Sequence, residues 1–262
     1  MAAPSVSWTR EHTVAAFHLY TLLPFGRLHH RTPEIQQLAV WQGRTPSSLA
    51  MKLGNFASLD PQIANTGRAG LSGATNQDRE LWAELQQNWD MVAEEAARSY
   101  VLLAETHGVQ SDAELIENEV DESTLEDGLT RTALVQLRVN QARFRKAVLA
   151  SYDATCCISG LRHTKLVVAS HIVPWSQDTK NRLNPQNGLC LSALHDRAFD
   201  QGLLTVMPDL TVRVSKPLMQ MAGASPLMKD LVACDGRAIS KPQRFAPHSD
   251  FLIWHATHFG FL

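Results

Sequence analysis

The sequence predicts an α+β protein in which an all-helical domain, an acidic linker and a mixed C-terminal domain follow one another along 262 residues. Apolar side chains recur at helical spacing in the first part of the chain. Acidic side chains dominate the middle, and short β-runs alternate with helices in the last part. These observations place the domains at residues 1–104, 105–130 and 131–262.

The formal charge of −2 conceals an uneven distribution of charged side chains. Residues 1–103 carry 8 Lys or Arg and 9 Asp or Glu, whereas residues 104–130 carry no Lys or Arg and 9 Asp or Glu. Residues 131–262 carry 16 Lys or Arg and 8 Asp or Glu, a net charge of +8. The basic C-terminal part suits a polyanionic partner, although the total charge hides it.

Two short helices are predicted to begin at matching Thr-Pro pairs, Thr32-Pro33 and Thr45-Pro46. A threonine N-cap satisfies an unpaired backbone N–H, and proline is tolerated at the first helical position because its missing N–H would be unpaired there. Residues 42–44 then form a tight turn between the helices. This arrangement is typical of a helix-turn-helix unit.

The second helix of such a unit presents outward side chains to the major groove of DNA. We therefore expect DNA contacts from Ser47, Ser48, Lys52 and Asn55, whose side chains are of the types that read base edges or phosphates. An ordinary helical hairpin would give the same pattern, and the first 103 residues are not net basic.

A longer helix is predicted from about Gln77 to Ala104, because apolar residues recur there at spacings of three and four. Its apolar stripe either packs on the preceding helices or pairs with a second copy of the chain, so a homodimer is an open alternative. The segment 105–130 follows and contains no Lys or Arg. Its like charges favour an extended linker that DNA would repel.

Basic side chains continue after the linker on a predicted helix, where they are placed to neutralise phosphates. They are Arg138, Arg143, Arg145 and Lys146.

Three motifs then follow at short distances in residues 152–204. Residues 170–175 read Ser-His-Ile-Val-Pro-Trp, residues 184–191 read Asn-Pro-Gln-Asn-Gly-Leu-Cys-Leu, and residues 194–200 read Leu-His-Asp-Arg-Ala-Phe-Asp. We expect a strand around 165–169, a polar loop, a second strand around 188–191 and a helix. This order resembles the ββα-metal finger of the HNH endonucleases, and of restriction-type HNH proteins in particular.

The resemblance implies a role for each of three residues in hydrolysing a phosphodiester. His171 would be the general base, since imidazole titrates near neutral pH. Asn187 would hold the backbone around the base, and His195 would bind a single divalent ion, Mg²⁺, Mn²⁺ or Ni²⁺. We also expect Arg182 and Arg197 to contact DNA.

Two features depart from the family pattern. Ser170 stands where many members have an acidic residue or histidine as second metal ligand. A hydroxyl is a weak ligand, so we expect His195, water, a DNA phosphate and Asp196 or Asn187 to hold the ion, and the protein to bind it weakly without DNA. Cys156 and Cys190 each lack the second thiol of a CxxC pair, so structural zinc is not expected.

These features predict a metal-dependent DNA endonuclease acting in restriction or phage defence. The alternatives are a DNA-binding regulator with an inactive finger and a nuclease directed at RNA. The chain lacks the apolar core of a signal peptide and has no long apolar run, and its four cysteines do not suggest a disulfide framework. We therefore expect a cytoplasmic protein.

Overall fold

The computed structural model describes residues 7–64, 73–109 and 131–262. The chain divides into two compact units, Met1–Ala147 and Val148–Leu262. Most of the predicted acidic linker, residues 110–130, lies outside the described residues. Within the described ranges, no helix combines the length and the apolarity needed to cross a bilayer.

The described residues of the first unit form helices joined by loops and contain no strand. Its helices are α1 (Arg10–Leu22), α2 (Pro33–Trp41), α3 (Pro46–Leu59), α4 (Pro61–Ala64), α5 (Asn76–Gln87), α6 (Trp89–Thr106) and α7 (Arg131–Ser151), the last of which continues into the second unit.

The two predicted Thr-Pro helix starts are confirmed at α2 and α3. The Thr45 side chain caps α3 by accepting a hydrogen bond from the Ser48 backbone N–H at 3.2 Å. The Thr32 hydroxyl instead donates to the Arg27 carbonyl. Gly43 adopts a φ of +62° in the turn between the helices, a conformation that glycine reaches without a steric penalty. That this helix pair acts on DNA stays a prediction.

The predicted single helix over residues 77–104 is wrong, because the chain breaks at Asn88. Asn88 has φ −157° and ψ 91°, and its side chain caps α6 by accepting from the Met91 backbone N–H. The apolar stripe of α6 packs on α1, where the rings of Phe17 and Trp89 lie 6.1 Å apart. The apolar stripe of α6 is thus covered within the chain, as the alternative of packing on the preceding helices predicts.

Lys52 corrects the predicted outward face of α3. Its side chain is 2% exposed and forms an ion pair with the fully buried Asp78. The ammonium also lies 4.5 Å from the centre of the Trp8 ring. Lys52 is therefore unavailable to DNA in this structure. Ser47 remains exposed, whereas Ser48 and Asn55 are half-buried.

Replacing Lys52 by methionine is expected to destabilise the first unit by about 3 to 5 kcal/mol, because Asp78 would keep a buried and unpaired charge. The double variant Lys52→Met/Asp78→Asn removes both charges and is expected to lose clearly less stability. Urea unfolding followed by far-UV circular dichroism measures both. Equal losses in the single and double variants would contradict the pairing.

The second unit carries two small antiparallel sheets and four complete helices among its described residues. Strands β1 (Val167–His171) and β2 (Gly188–Ser192) pair with His171 opposite Gly188. Strands β3 (Leu204–Val206) and β4 (Val212–Val214) form the second sheet. The helices are α8 (Ala193–Asp200), α9 (Lys216–Gln220), α10 (Pro226–Val232) and α11 (Ser249–His258).

The C-terminal helix α11 packs through a buried histidine. The His255 ring stacks on Phe199 at a centroid distance of 3.6 Å, and its Nδ1 lies 2.8 Å from the Thr205 hydroxyl. Burial lowers the pKa of His255 to about 4, although the Phe199 backbone opposes this shift. His255 is therefore neutral in the folded protein at pH 7.

Lowering the pH is expected to weaken the second unit through His255. The folded pKa lies below the unfolded value of about 6.5, so the stabilisation is complete above pH 6.5 and is lost as the pH falls towards 4. The loss would reach at most about 3 kcal/mol. Hydrogen exchange of α11 peptides at pH 7 and pH 4.5 measures it. The His255→Asn variant has no titrating side chain at this position. The difference in hydrogen exchange of α11 between pH 7 and pH 4.5 should therefore be smaller than in the wild type, and an equal difference would contradict this prediction.

Candidate active site

The strand–loop–strand–helix segment from β1 to α8 positions the predicted site residues. The hydrogen-bonded β1–β2 pair places the end of β1 beside the start of β2. Helix α8 begins directly after β2, where the Ser192 side chain accepts a hydrogen bond from the His195 backbone N–H and caps the helix. Strands β1 and β2 and helix α8, which follow one another closely in the sequence, thus position the site.

His171 ends β1, and one of its ring nitrogens has a fixed partner. Nε2 lies 2.9 Å from the Arg182 carbonyl oxygen, which can only accept a hydrogen bond. Nε2 therefore carries the proton of the neutral ring, and the lone pair lies on Nδ1. Burial lowers the pKa of His171, with the Arg182 carbonyl opposing the shift, so the neutral form is favoured at pH 7.

Asn187 clamps the backbone next to His171. Its Oδ1 accepts from the Val173 N–H at 2.8 Å, and its Nδ2 donates to the Val173 carbonyl at 3.1 Å and to the Asn181 carbonyl at 3.3 Å. The side chain is 1% exposed. Both polar ends of the amide are thus used to fix the chain two residues beyond His171, which is the geometry that an orienting residue needs.

Trp175 and Arg182 complete the surroundings of His171. The Trp175 ring meets the His171 ring edge-on at a centroid distance of 5.5 Å. Arg182 donates from Nε to the Trp175 carbonyl at 2.9 Å, and its guanidinium lies 5.5 Å from the centre of the Trp175 ring. A cation is therefore held on the same loop as the candidate base. The sequence assigns no separate role to Trp175. The signal that could have found it is an aromatic residue four positions after the candidate base.

His195 faces a cluster of thiols. It is 8% exposed, and its Nδ1 lies 2.7 Å from the Ser192 hydroxyl and 3.9 Å from the Cys156 sulfur. Burial lowers the pKa of His195, but the Cys156 and Cys234 thiols outweigh it and raise the pKa to about 9. Burial raises the pKa of Cys156, but contacts with His195 and Ser159 lower it to about 6.

The two opposite pKa shifts favour a thiolate beside an imidazolium, and Nδ1 of His195 is engaged inside the fold. The metal-ligand role that the sequence predicts for His195 stays a prediction.

Ser170 and Asp196 are neighbours in the finger. The Ser170 hydroxyl is buried, with the residue 3% exposed, and no hydrogen bond to it is found among the described residues. Burial raises the pKa of Asp196, and the nearby Ser170 hydroxyl and Arg197 lower it. The hydroxyl of Ser170 and the carboxylate of Asp196 are thus close neighbours. An unpaired buried hydroxyl is costly unless another group completes its surroundings.

Asp200 follows Asp196 by one helical turn on α8. Burial raises the pKa of Asp200, and the negative charge of Asp196 raises it further. Hydroxyl and carboxylate oxygens are ligands that Mg²⁺ and Mn²⁺ accept. Ser170, Asp196 and Asp200 therefore carry oxygen donors of the kind that a hard divalent cation takes. Among the described residues, no three His, Cys, Asp or Glu side chains are arranged to hold a metal ion, so water and substrate would have to supply the remaining ligands.

The residues predicted to contact DNA are divided between the units. Arg182 and Arg197 lie in the finger, and Arg197 is exposed on α8. Arg143, Arg145 and Lys146 lie on the part of α7 that belongs to the first unit, where Ser47, Ser48 and Asn55 also lie.

Comparison with known families agrees with this geometry. Residues 156–207 match the family model described as HNH endonuclease, a range that includes both strands of the finger and all of α8. A comparison with curated proteins found no match. The resemblance drawn from the three sequence motifs is thereby confirmed. The second unit therefore contains a segment, residues 156–207, that is similar to the HNH endonuclease family.

Proposed function

We propose that the protein is a metal-dependent endonuclease that hydrolyses phosphodiester bonds of DNA, acting in restriction or phage defence. The HNH domain supports nuclease activity in general. The observation that supports catalytic competence most strongly is the fixed state of His171, which is neutral, oriented by the Arg182 carbonyl and backed by the Asn187 clamp. The setting in defence rests on the likeness of the motifs to restriction-type HNH proteins.

His171 performs the proton transfer in this proposal. Its Nδ1 accepts a proton from water, whose oxygen attacks phosphorus while the bond from phosphorus to the leaving oxygen breaks. Asn187 keeps the imidazole in place through Val173, so the lone pair does not have to be reoriented before each turnover. Arg182 adds positive charge beside the scissile phosphate.

Ser170 and Asp196, with Asp200 one turn away, would hold the divalent ion. When bound, such an ion stabilises negative charge on the phosphate and on the leaving oxygen. We assign this role to these oxygen donors rather than to His195, which faces the thiols of Cys156 and Cys234. His195 instead supports the finger from inside. With few protein ligands, the ion should bind weakly until a DNA phosphate joins it.

A substrate panel tests the proposal. The full-length protein is incubated with supercoiled plasmid, base-modified phage DNA and single-stranded RNA, each with Mg²⁺, Mn²⁺, Ni²⁺ or EDTA. We expect cleavage of DNA in at least one divalent metal and none in EDTA. Preferential cleavage of RNA would contradict the DNA substrate, and cleavage in EDTA would contradict metal dependence.

A further inference from the structure

The imidazole of His171 needs contacts that fix the ring itself as well as the backbone beside it. The three hydrogen bonds of the Asn187 clamp all end on backbone groups of Val173 and Asn181. The torsion that turns a histidine ring has a broad and roughly two-fold energy profile, so a clamp on the backbone leaves the ring able to rotate. A half-turn would put a ring carbon where Nδ1 lies, and the lone pair would be lost from that position.

Two contacts act on the ring of His171, and both come from the loop between β1 and β2. The Arg182 carbonyl oxygen lies 2.9 Å from Nε2. The Trp175 ring meets the imidazole at a centroid distance of 5.5 Å and an interplanar angle of 89°. Rotation of the imidazole would break the hydrogen bond to Arg182 and would have to displace the indole of Trp175. These two contacts therefore oppose the rotation that the backbone clamp permits.

The side chain of Arg182 connects these two contacts to each other. Its Nε donates to the Trp175 carbonyl at 2.9 Å. Its guanidinium lies 5.5 Å from the centre of the Trp175 ring, which is within the range of a cation–π interaction. The side chain thus links Trp175, near the start of the loop, to the residue whose carbonyl accepts from His171. The indole, the guanidinium and the imidazole therefore form one connected group of contacts.

We propose that Trp175 and Arg182 are positioning residues that hold the ring of His171 in the orientation needed for proton transfer, a role that rests on the proposed function. Arg182 acts here through its carbonyl and its planar side chain, in addition to its positive charge. A lysine ammonium supplies the charge but neither the Nε–H at this position nor a flat cation beside the indole. A tryptophan that only filled space in the loop would instead be replaceable by any apolar side chain.

Nuclear magnetic resonance of the full-length protein with isotopically labelled histidine, in EDTA and without DNA, measures the ring orientation independently of cleavage. A held Nε2–H exchanges slowly with water and gives a resolved signal, which His171→Gln identifies by its absence. We expect this signal in the wild type and in Trp175→Phe. We expect it to broaden or disappear in Trp175→Leu and in Arg182→Lys, which keeps the charge. No signal in the wild type, or a sharp signal in either of the last two variants, would overturn the proposal.

Single-turnover cleavage of a labelled duplex at saturating protein measures the effect on the reaction. Trp175→Leu should slow cleavage about 10- to 100-fold, because a small misplacement of a reacting group has effects of this size. Trp175→Phe keeps a ring that can meet the imidazole edge-on and should cleave at nearly the wild-type rate. The affinity for the duplex in EDTA should stay close to that of the wild type in both variants. Trp254→Leu, which removes a half-buried tryptophan of α11 outside the site, is the control and should cleave like the wild type.

A double variant distinguishes a positioning role from a purely structural one. If Trp175 acts through His171, Trp175→Leu should slow cleavage little further when His171 is already alanine, because residues that act as a unit are strongly non-additive. Full additivity of the two losses would contradict the proposal. A wild-type protein that cleaves no DNA would contradict the proposed function and this inference with it. Wild-type cleavage that stays unchanged in Trp175→Leu would contradict this inference alone.

Discussion

Replacing His171 by alanine is expected to slow DNA cleavage by about 100- to 10,000-fold, the usual contribution of a general base. The variant removes the Nδ1 lone pair that takes a proton from water in the proposed mechanism. It should bind DNA about as well as the wild type, because His171 is not one of the cationic groups that attract phosphate. Single-turnover cleavage of a labelled duplex in Mn²⁺, together with a binding titration of the same duplex in EDTA, measures the two effects separately.

Two controls distinguish the loss of a base from the loss of structure. His171→Gln keeps an amide N–H that can reach the Arg182 carbonyl but offers no basic nitrogen. It should therefore be as slow as the alanine variant while unfolding at a temperature closer to that of the wild type. Added imidazole should restore part of the activity of His171→Ala, where a space is available. Full activity in His171→Gln would contradict the base assignment.

Replacing Asp196 by asparagine is expected to have the second large effect. The change keeps the size of the side chain but removes the negative charge that the proposed metal site depends on. We expect the Mn²⁺ concentration for half-maximal cleavage to rise at least about tenfold, with DNA binding in EDTA unchanged or slightly stronger. Electron paramagnetic resonance of Mn²⁺ with the protein and a non-cleavable phosphorothioate duplex measures metal binding directly.

His195→Gln is the matched comparison, since His195 is the adjacent residue on α8. It should leave the Mn²⁺ requirement close to that of the wild type and lower the melting temperature of the second unit, because it disrupts the contacts with Ser192 and Cys156. The reverse pattern, a raised Mn²⁺ requirement in His195→Gln and a normal one in Asp196→Asn, would show that His195 is the metal ligand and that our assignment is wrong.

The finger could be predicted from the sequence because its parts are close together in the chain. His171 and Asn187 are separated by one loop, and the strands that carry them pair directly. The strand predicted around 165–169 lies at Val167–His171, a shift of two residues that leaves His171 at the strand end. Short-range hydrogen bonding and motif spacing are sufficient for such a unit.

The direction of individual side chains could not be predicted in the same way. His195 and Asp196 are neighbours on a helix, where successive side chains point about 100° apart, so one can face the thiols while the other faces Ser170. The motif alone does not determine which of the two side chains faces the thiols and which faces Ser170. Cys234 lies 39 residues beyond His195 in sequence, and only the folded chain brings the two together.

Long-range partners also explain the errors in the first unit. Lys52 looked like an outward cation on α3, but Asp78, which lies on another helix, pairs with it inside the fold. Asn88 interrupts a helical pattern that is otherwise continuous, because its side chain caps the next helix instead of extending the previous one. In both cases the local sequence allows two structures, and packing against other helices selects one.

The central claim, that the HNH finger of this chain is an active metal-dependent nuclease, is tested most directly by following supercoiled plasmid with the purified wild-type protein. We predict conversion to nicked plasmid in Mg²⁺ or Mn²⁺ and no conversion when EDTA is present. Binding of the plasmid without any nicking in Mg²⁺, Mn²⁺ or Ni²⁺ would contradict the claim and would favour a DNA-binding regulator with an inactive finger.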